Sequence, residues 1–207
     1  MPLDAAPRAD AAQLPDPRLH GPIRERWSPR AFDAAHVVDA DTLALLLEAA
    51  RWAPSAGNSQ PWAYLVGVRG DPTFTAFHGL LSRGNTAWAG RASALLVTLH
   101  QVAIEPGTAM PYSDYAAYDL GQATAQLALQ AQVLGLHTHQ FAGFDHAGVA
   151  AEFAVPEHWR VTTGIAIGRL ADPSTLEPAL AERERQPRHR KTPAQIAFAG
   201  RFGAPLR

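Results

Sequence analysis

Between Asp39 and Val68 the hydrophobic spacing changes once, and the change marks the first two elements. Leu43, Leu46, Leu47 and Ala50 recur at i, i+3, i+4 and i+7, the spacing of a helix with one buried face. Asp39 or Asp41 stands where a carboxylate can cap the free N–H groups, and Pro54 stops the helix. WAYLVGV (62–68) predicts a strand. Asp71-Pro72 joins a capping aspartate to a proline at the first helical position, predicting a helix to about Arg83. ASALLVTLH (92–100) predicts a second, buried strand, followed by a loop rich in Pro and Tyr from Glu105 to Asp114. The helix from Tyr115 to Leu134 is the most informative. No Asp, Glu, Lys or Arg occurs from Leu120 to Phe144, and apolar and small residues surround this helix. Such a helix is expected to be buried on nearly every side, and a subunit interface is the expected cover. Gly135 suits the left-handed position just past its end. LHTHQFAG (136–143) and VTTGIAIG (161–168) predict two further strands, with a helix capped by Asp145 between them. After Asp172 the chain is polar and punctuated by Pro, with a charge run, ERERQPRHRK (182–191). The order β-α-β-α-β-α-β, with helix outweighing strand, predicts an α+β or α/β layered domain.

Composition narrows the class. A chain of 207 residues, 47% apolar and 18% charged, is of globular type and one domain long, expected over 21–207. Residues 1–20, rich in Pro, Ala and Asp without periodicity, are expected to form a flexible N-terminal arm. The net charge of -1 gives no reason to expect nucleic acid or a membrane surface. No apolar run is long enough to span a bilayer and no basic-then-apolar signal opens the chain, so a cytoplasmic protein is expected. The absence of cysteine excludes disulfides and thiolate metal sites.

Candidate chemistry is concentrated in a few stretches. His137 and His139 share one face of a strand with His146 nearby, but no carboxylate joins them at ligand spacing, so no metal site is expected. There is no G-x-S-x-G, no P-loop and no G-x-G-x-x-G. RERWSPRAF (24–32) sets Arg24, Arg26, Ser28 and Arg30 at every second position. In an extended segment these project to one side, as an anion site suited to phosphate or as a solvated basic edge. A second basic group, Arg188-His189-Arg190-Lys191, lies near the other end. In APSAGNSQPW (53–62), Asn58 and Gln60 carry paired donors and acceptors, Pro54 and Pro61 stiffen the ends, and Ser55, Ala56 and Gly57 are small. Such a stretch is either an ordinary helix-to-strand turn or a wall against a flat ligand.

Together these segments resemble the FMN-dependent nitroreductase family over roughly 24–193. RERWSPRAF is similar to that family's R-x-S-x-[RK]-x-F element, and ARWAPSAGNSQPW to its A-P-S-x-x-N-x-Q-P-W element. YDLGQATAQLALQAQVLGL resembles its long central helix ending in G-L. HQFAGFD and GIAIGRL resemble the strand beside the flavin and the strand that follows. The resemblance implies an α+β fold with a central mixed sheet flanked by helices, and a homodimer holding FMN at its interface. It implies that Arg26 and Ser28, with Trp27 between them, bind the FMN phosphate, and that Arg188 and Arg190 reach the same phosphate. Arg30 would lie at the pyrimidine edge, where reduced flavin gathers negative charge. Pro54, Ser55, Ala56 and Asn58 would contact the ring and ribityl chain from the partner subunit. Asn85 would sit near the pyrimidine edge, and Ala142 and Gly143 would direct backbone N–H groups toward N5.

The chain departs from the family pattern in two places. Many members carry a lysine three residues after the position of Asn85, where this sequence has Trp88, an expected aromatic wall. The segment from Val102 to Tyr118 is short, and Tyr112, Tyr115 and Tyr118 are candidates for a substrate-pocket rim or for packing. The activity implied is NADH- or NADPH-dependent reduction of nitroaromatic, quinone or enone acceptors in ping-pong order, with no catalytic side chain assigned. Oxidation of a small substrate, cleavage of the flavin itself, and FMN binding without turnover are the alternatives.

Overall fold

The computed structural model describes residues 15–108 and 110–206, so most of the expected N-terminal arm lies outside the described residues. The elements run α1 (Gly21–Glu25), α2 (Ala40–Arg51), β1 (Trp62–Val68), α3 (Pro72–Gly79), α4 (Arg83–Ala89) and β2 (Ala94–Gln101). They continue through α5 (Ala116–Val133), β3 (His137–Phe141), α6 (His146–Glu152), β4 (Trp159–Gly168) and α7 (Pro178–Arg185). The caps are the ones the sequence suggests. Asp39 accepts from Thr42 N, Asp71 from Phe74 N and Asp145 from Gly148 N. At the end of α5, Gly135 at φ 71° lets its own N–H reach Gln132 O and that of Leu136 reach Ala131 O. No described helix is long and apolar enough to cross a membrane.

The fold is α+β, with strands in the order β1-β2-β4-β3. The expected mixed sheet is not what forms: β1 with β2, β2 with β4, and β3 with β4 all pair antiparallel. The reason lies in the placement of β4. The crossover through α5 leaves β2 and β3 running the same way, but one strand-width apart, and β4 fills the gap in the opposite sense. A register shift between Thr98 and Leu99 bends the central pair. Side chains then alternate between two cores. Leu43, Leu46, Ala123, Leu127 and Ala131 of α2 and α5 pack with Leu96, Ile165 and Ile167. Phe74, Phe77, Trp88, Ala89 and Val149 of α3, α4 and α6 pack with Leu95, Val97 and Ala166, and Phe32 joins them.

Three further expectations need correction. The helix opened by Pro72 ends at Gly79, because Leu81 bridges to Phe144 and Leu80 O accepts from Asp145 N; Ser82 then opens α4. Arg24 belongs to α1 and not to the extended segment, which starts at Arg26. The polar stretch after Asp172 contains helix α7, which runs into the start of the charge run and whose Ala181 and Glu184 are buried one turn apart. As expected of a helix that needs a further cover, α5 is not enclosed by its own chain. Asp119, Leu120, Ala123, Thr124, Leu127, Ala128 and Ala131 are buried, but Tyr118, Gly121, Ala125 and Val133 form an open face without charge.

Burial, first among the causes, holds His36, His100, His137 and His139 below the ordinary histidine value of 6.5. Each is favoured as neutral imidazole in the fold, whereas the unfolded chain takes up the proton more readily. Their contribution is complete above that value and is lost as pH falls through it. Thermal melting should therefore move to lower temperature between about pH 7.5 and about pH 5.5; a melting temperature flat over that range would contradict this assignment.

Candidate functional site

From Arg26 to Pro29 the chain has no regular structure, and the C-terminal segment supplies its partners. The Arg188 guanidinium donates from Nη1 to Arg26 O at 2.8 Å and from Nη2 to Arg24 O at 3.4 Å. Arg26 Nη1 donates to Ser28 Oγ at 3.4 Å. The two segments enclose a cavity of about 220 Å³ lined by Arg26, Trp27, Ser28, Arg30, Arg183, Glu184, Gln186, Arg188 and Arg190. Five guanidinium groups thus face one carboxylate. Burial, and then repulsion by Arg190 and Arg188, hold Arg26 below the usual arginine value. Burial and then Arg183 do the same to Arg30, while Glu184 works the other way. A bound dianion would relieve both repulsions. Beyond Arg26, Arg188 and Arg190 lies a second cavity of about 390 Å³, with Pro15, Leu19, Ile23 and Arg24 on its far side.

Sequence reasoning missed Glu184. Its side chain is only 1% exposed. Oε1 accepts from Arg30 N at 2.6 Å and from Ala31 N at 3.1 Å, and Oε2 lies 3.8 Å from Arg30 Nη1. The one available signal was its place on the same face of α7 as Ala181.

The 54–60 loop is a separate, held shape. Gly57, Asn58 and Gln60 adopt positive φ of 59°, 56° and 51°. For the two non-glycine residues this costs roughly 1–3 kcal/mol each. Several bonds maintain it. Gln60 N donates to Ser55 Oγ at 3.0 Å, and Gln60 Nε2 donates to Asn58 O at 3.2 Å. Tyr112 OH donates to Ser59 O at 2.7 Å, and Ala56 N donates to Asp119 Oδ2 at 3.0 Å. Asp119, 2% exposed, is the second residue missed; its signal was being the last charge before the uncharged stretch. Pro54, Ala56 and Asn58 face outward. The loop contributes nothing to the lining of the basic cavity. Tyr115 and Tyr118, 62% and 68% exposed, stand at the start of α5 near it.

A third group gathers at the end of β3. Gly143 O accepts from Ser82 N at 3.0 Å and from Asn85 Nδ2 at 2.9 Å. A Cβ on Gly143 would lie 2.7 Å from Ser82 Oγ and 2.8 Å from Asn85 Nδ2, so a side chain there would have to displace one or both of them. Ala142 is exposed beside it. Trp88 is not a wall. It is 1% exposed and packs inside the core on His139 and Phe141, with ring centroids at 4.5 and 5.7 Å. It backs this group from below. His139 bonds through Nδ1 to Pro29 O at 2.9 Å, so β3 connects the Gly143 clamp to the basic cavity.

Comparison with known proteins identifies the family. Residues 23–71 match the model of the nitroreductase family. A protein of Mycolicibacterium smegmatis, described as an uncharacterized 15.4 kDa protein in the ask 5′ region, is 42% identical over 151 residues. That match covers 69% of this chain and 99% of the relative. A solved structure described as an oxidoreductase containing FMN is 36% identical, with a TM-score of 0.85 over 96% of this chain and 100% of that one. A nitroreductase family protein of Clostridium difficile 630, at 20% identity, shares the fold with a TM-score of 0.66 over 87% of this chain and 97% of its own. By the matched opening segment, the 36% identity across nearly its whole length and the shared fold, the chain belongs to the nitroreductase family.

Proposed function

We propose that this chain is an FMN-dependent oxidoreductase, active as a homodimer, that takes electrons from NADH or NADPH and reduces nitroaromatic, quinone or enone acceptors. The observation that carries the reading is the convergence of Arg26, Ser28 and Arg30 with Arg188 and Arg190 on one cavity, from opposite ends of the chain. That donor set fits a phosphate monoester: forked guanidinium groups, a hydroxyl, and a surplus of positive charge. The FMN content of the 36% identical relative supports the same choice.

In this reading Arg26, Ser28, Arg188 and Arg190 hold the phosphate, with Trp27 alongside. Arg30 presents a cation to the electron-rich edge of the ring and favours its reduced state. Among the described residues no acceptor pairs with the N–H groups of Ala142 and Gly143, which leaves both free to donate toward the ring. Asn85 orients them by holding Gly143 O. Trp88, packed on His139 and Phe141, keeps the floor rigid. Bound FMN would supply hydride acceptance at N5 and its delivery to a second substrate in the same place. No side chain is assigned as general acid; solvent or a tyrosine at the rim, Tyr112, Tyr115 or Tyr118, would give the proton. The open uncharged face of α5 supports a second copy as cover. Beside it Trp52, 72% exposed, shares a cavity of about 350 Å³ with Leu129 and Val133. A partner there would bring its 54–58 loop to the ring, which accounts for the outward Pro54, Ala56 and Asn58.

The purified chain should be yellow, or become so with added FMN, and should bleach with NADH or NADPH under nitrogen. A colourless protein that gains no chromophore would sink the reading, and a yellow protein that neither nicotinamide bleaches would reduce it to flavin binding alone. Arg26→Ala removes a charge-assisted contact and should weaken FMN binding by about tenfold to a hundredfold, measured by fluorescence titration. Arg30→Ala should lower the midpoint potential of the bound flavin; an unchanged potential would remove Arg30 from the ring. In gel filtration at micromolar concentration the mass should be that of two subunits.

A further inference from the structure

We propose that Glu184 is the positioning residue that sets the strength of the cationic site: it aligns the Arg30–Ala31 backbone and cancels part of the Arg30 charge. This rests on the FMN reading above and deepens it. The two carboxylate oxygens do different work. Oε1 takes both backbone N–H groups. Oε2 is buried, makes no hydrogen bond, and has the Arg30 guanidinium 3.8 Å away. A buried carboxylate oxygen without a hydrogen bond costs stability. A glutamine amide oxygen would serve the same two N–H groups, with an uncharged Nε2 in the place of Oε2. What a carboxylate adds here is charge, and the charge faces Arg30 across the wall of the cavity. Arg30 therefore meets a bound anion or an electron-rich ring with a partner already at its back. Removing the charge while keeping the acceptor should strengthen the site: phosphate binds more tightly and a bound flavin becomes easier to reduce.

Two substitutions separate charge from scaffolding. Glu184→Gln keeps the Oε1 acceptor and loses the charge, whereas Glu184→Asp keeps the charge and draws it away from the N–H groups. Inorganic phosphate is titrated calorimetrically into the flavin-free protein, and the midpoint potential is measured on the FMN-loaded protein. Glu184→Gln should bind phosphate roughly threefold to tenfold more tightly than the wild type and show a more positive potential. Glu184→Asp should stay near the wild type in both and melt at a lower temperature. Equal phosphate affinity and equal potential in wild type and Glu184→Gln would overturn the inference and leave the FMN reading intact. So would a glutamine variant that does not fold, since the charge would then be structural, or an aspartate variant that shifts both readouts as glutamine does. Phosphate binding to none of the three proteins would overturn the inference and the FMN reading together.

Discussion

The segment from Arg26 to Ala31 has no helix or strand to satisfy its backbone, yet it must stay in one shape to present three polar side chains to one cavity. It does so by borrowing. Its carbonyls accept from Arg188, its amides donate to Glu184, and Pro29 O accepts from His139. Ala31 O accepts from Ala171 N, just past β4. Buried peptide groups must find partners, and here most partners come from the far end of the chain. The cationic cavity is therefore a consequence of a seam. The side chains that close the seam are also the ones that give the cavity its charge.

The 54–60 loop shows the opposite solution. It satisfies itself through Ser55 and Gln60 and is then pinned by Asp119 and Tyr112 from outside. Left-handed Asn58 and Gln60 would relax without those pins. The result is a stiff outward surface that lines none of the cavities described above. The Gly143 clamp stands between these extremes. One carbonyl accepts two bonds, and a side chain at that glycine would push against Ser82 and Asn85.

Much of this was legible from the residues. The four strands, the caps at Asp39, Asp71 and Asp145, and the Gly135 stop follow from local patterns that the tertiary structure leaves alone. The meeting of Arg26, Ser28 and Arg30 with Arg188 and Arg190 was suggested by residue type and by a family pattern, since no periodicity relates positions 162 residues apart. What stayed hidden was decided by distant contacts. The break after Gly79 exists because Leu81 pairs with Phe144 and Leu80 O accepts from Asp145 N. Helix α7 runs into the charge run because Ala181 and Glu184 find the core. Glu184 and Asp119 were invisible as anchors because an acidic residue in sequence looks solvated until the backbone amide it serves is known. Trp88 was expected as a wall because it replaced a cation, but an indole at that position gains more from burial against His139 and Phe141 than from solvent.

The seam also ties competence to chain length. The sheet is complete at Gly168, and both cores have nearly all their members by then. The basic cavity needs residues 183–190 as well. A nascent chain emerging in order would thus assemble its sheet first and acquire its charged site last. A copy shortened by its final twenty-five residues would keep every strand and lose Arg183, Glu184, Gln186, Arg188 and Arg190 from the cavity wall, so an intact basic cavity would report that synthesis had passed residue 190.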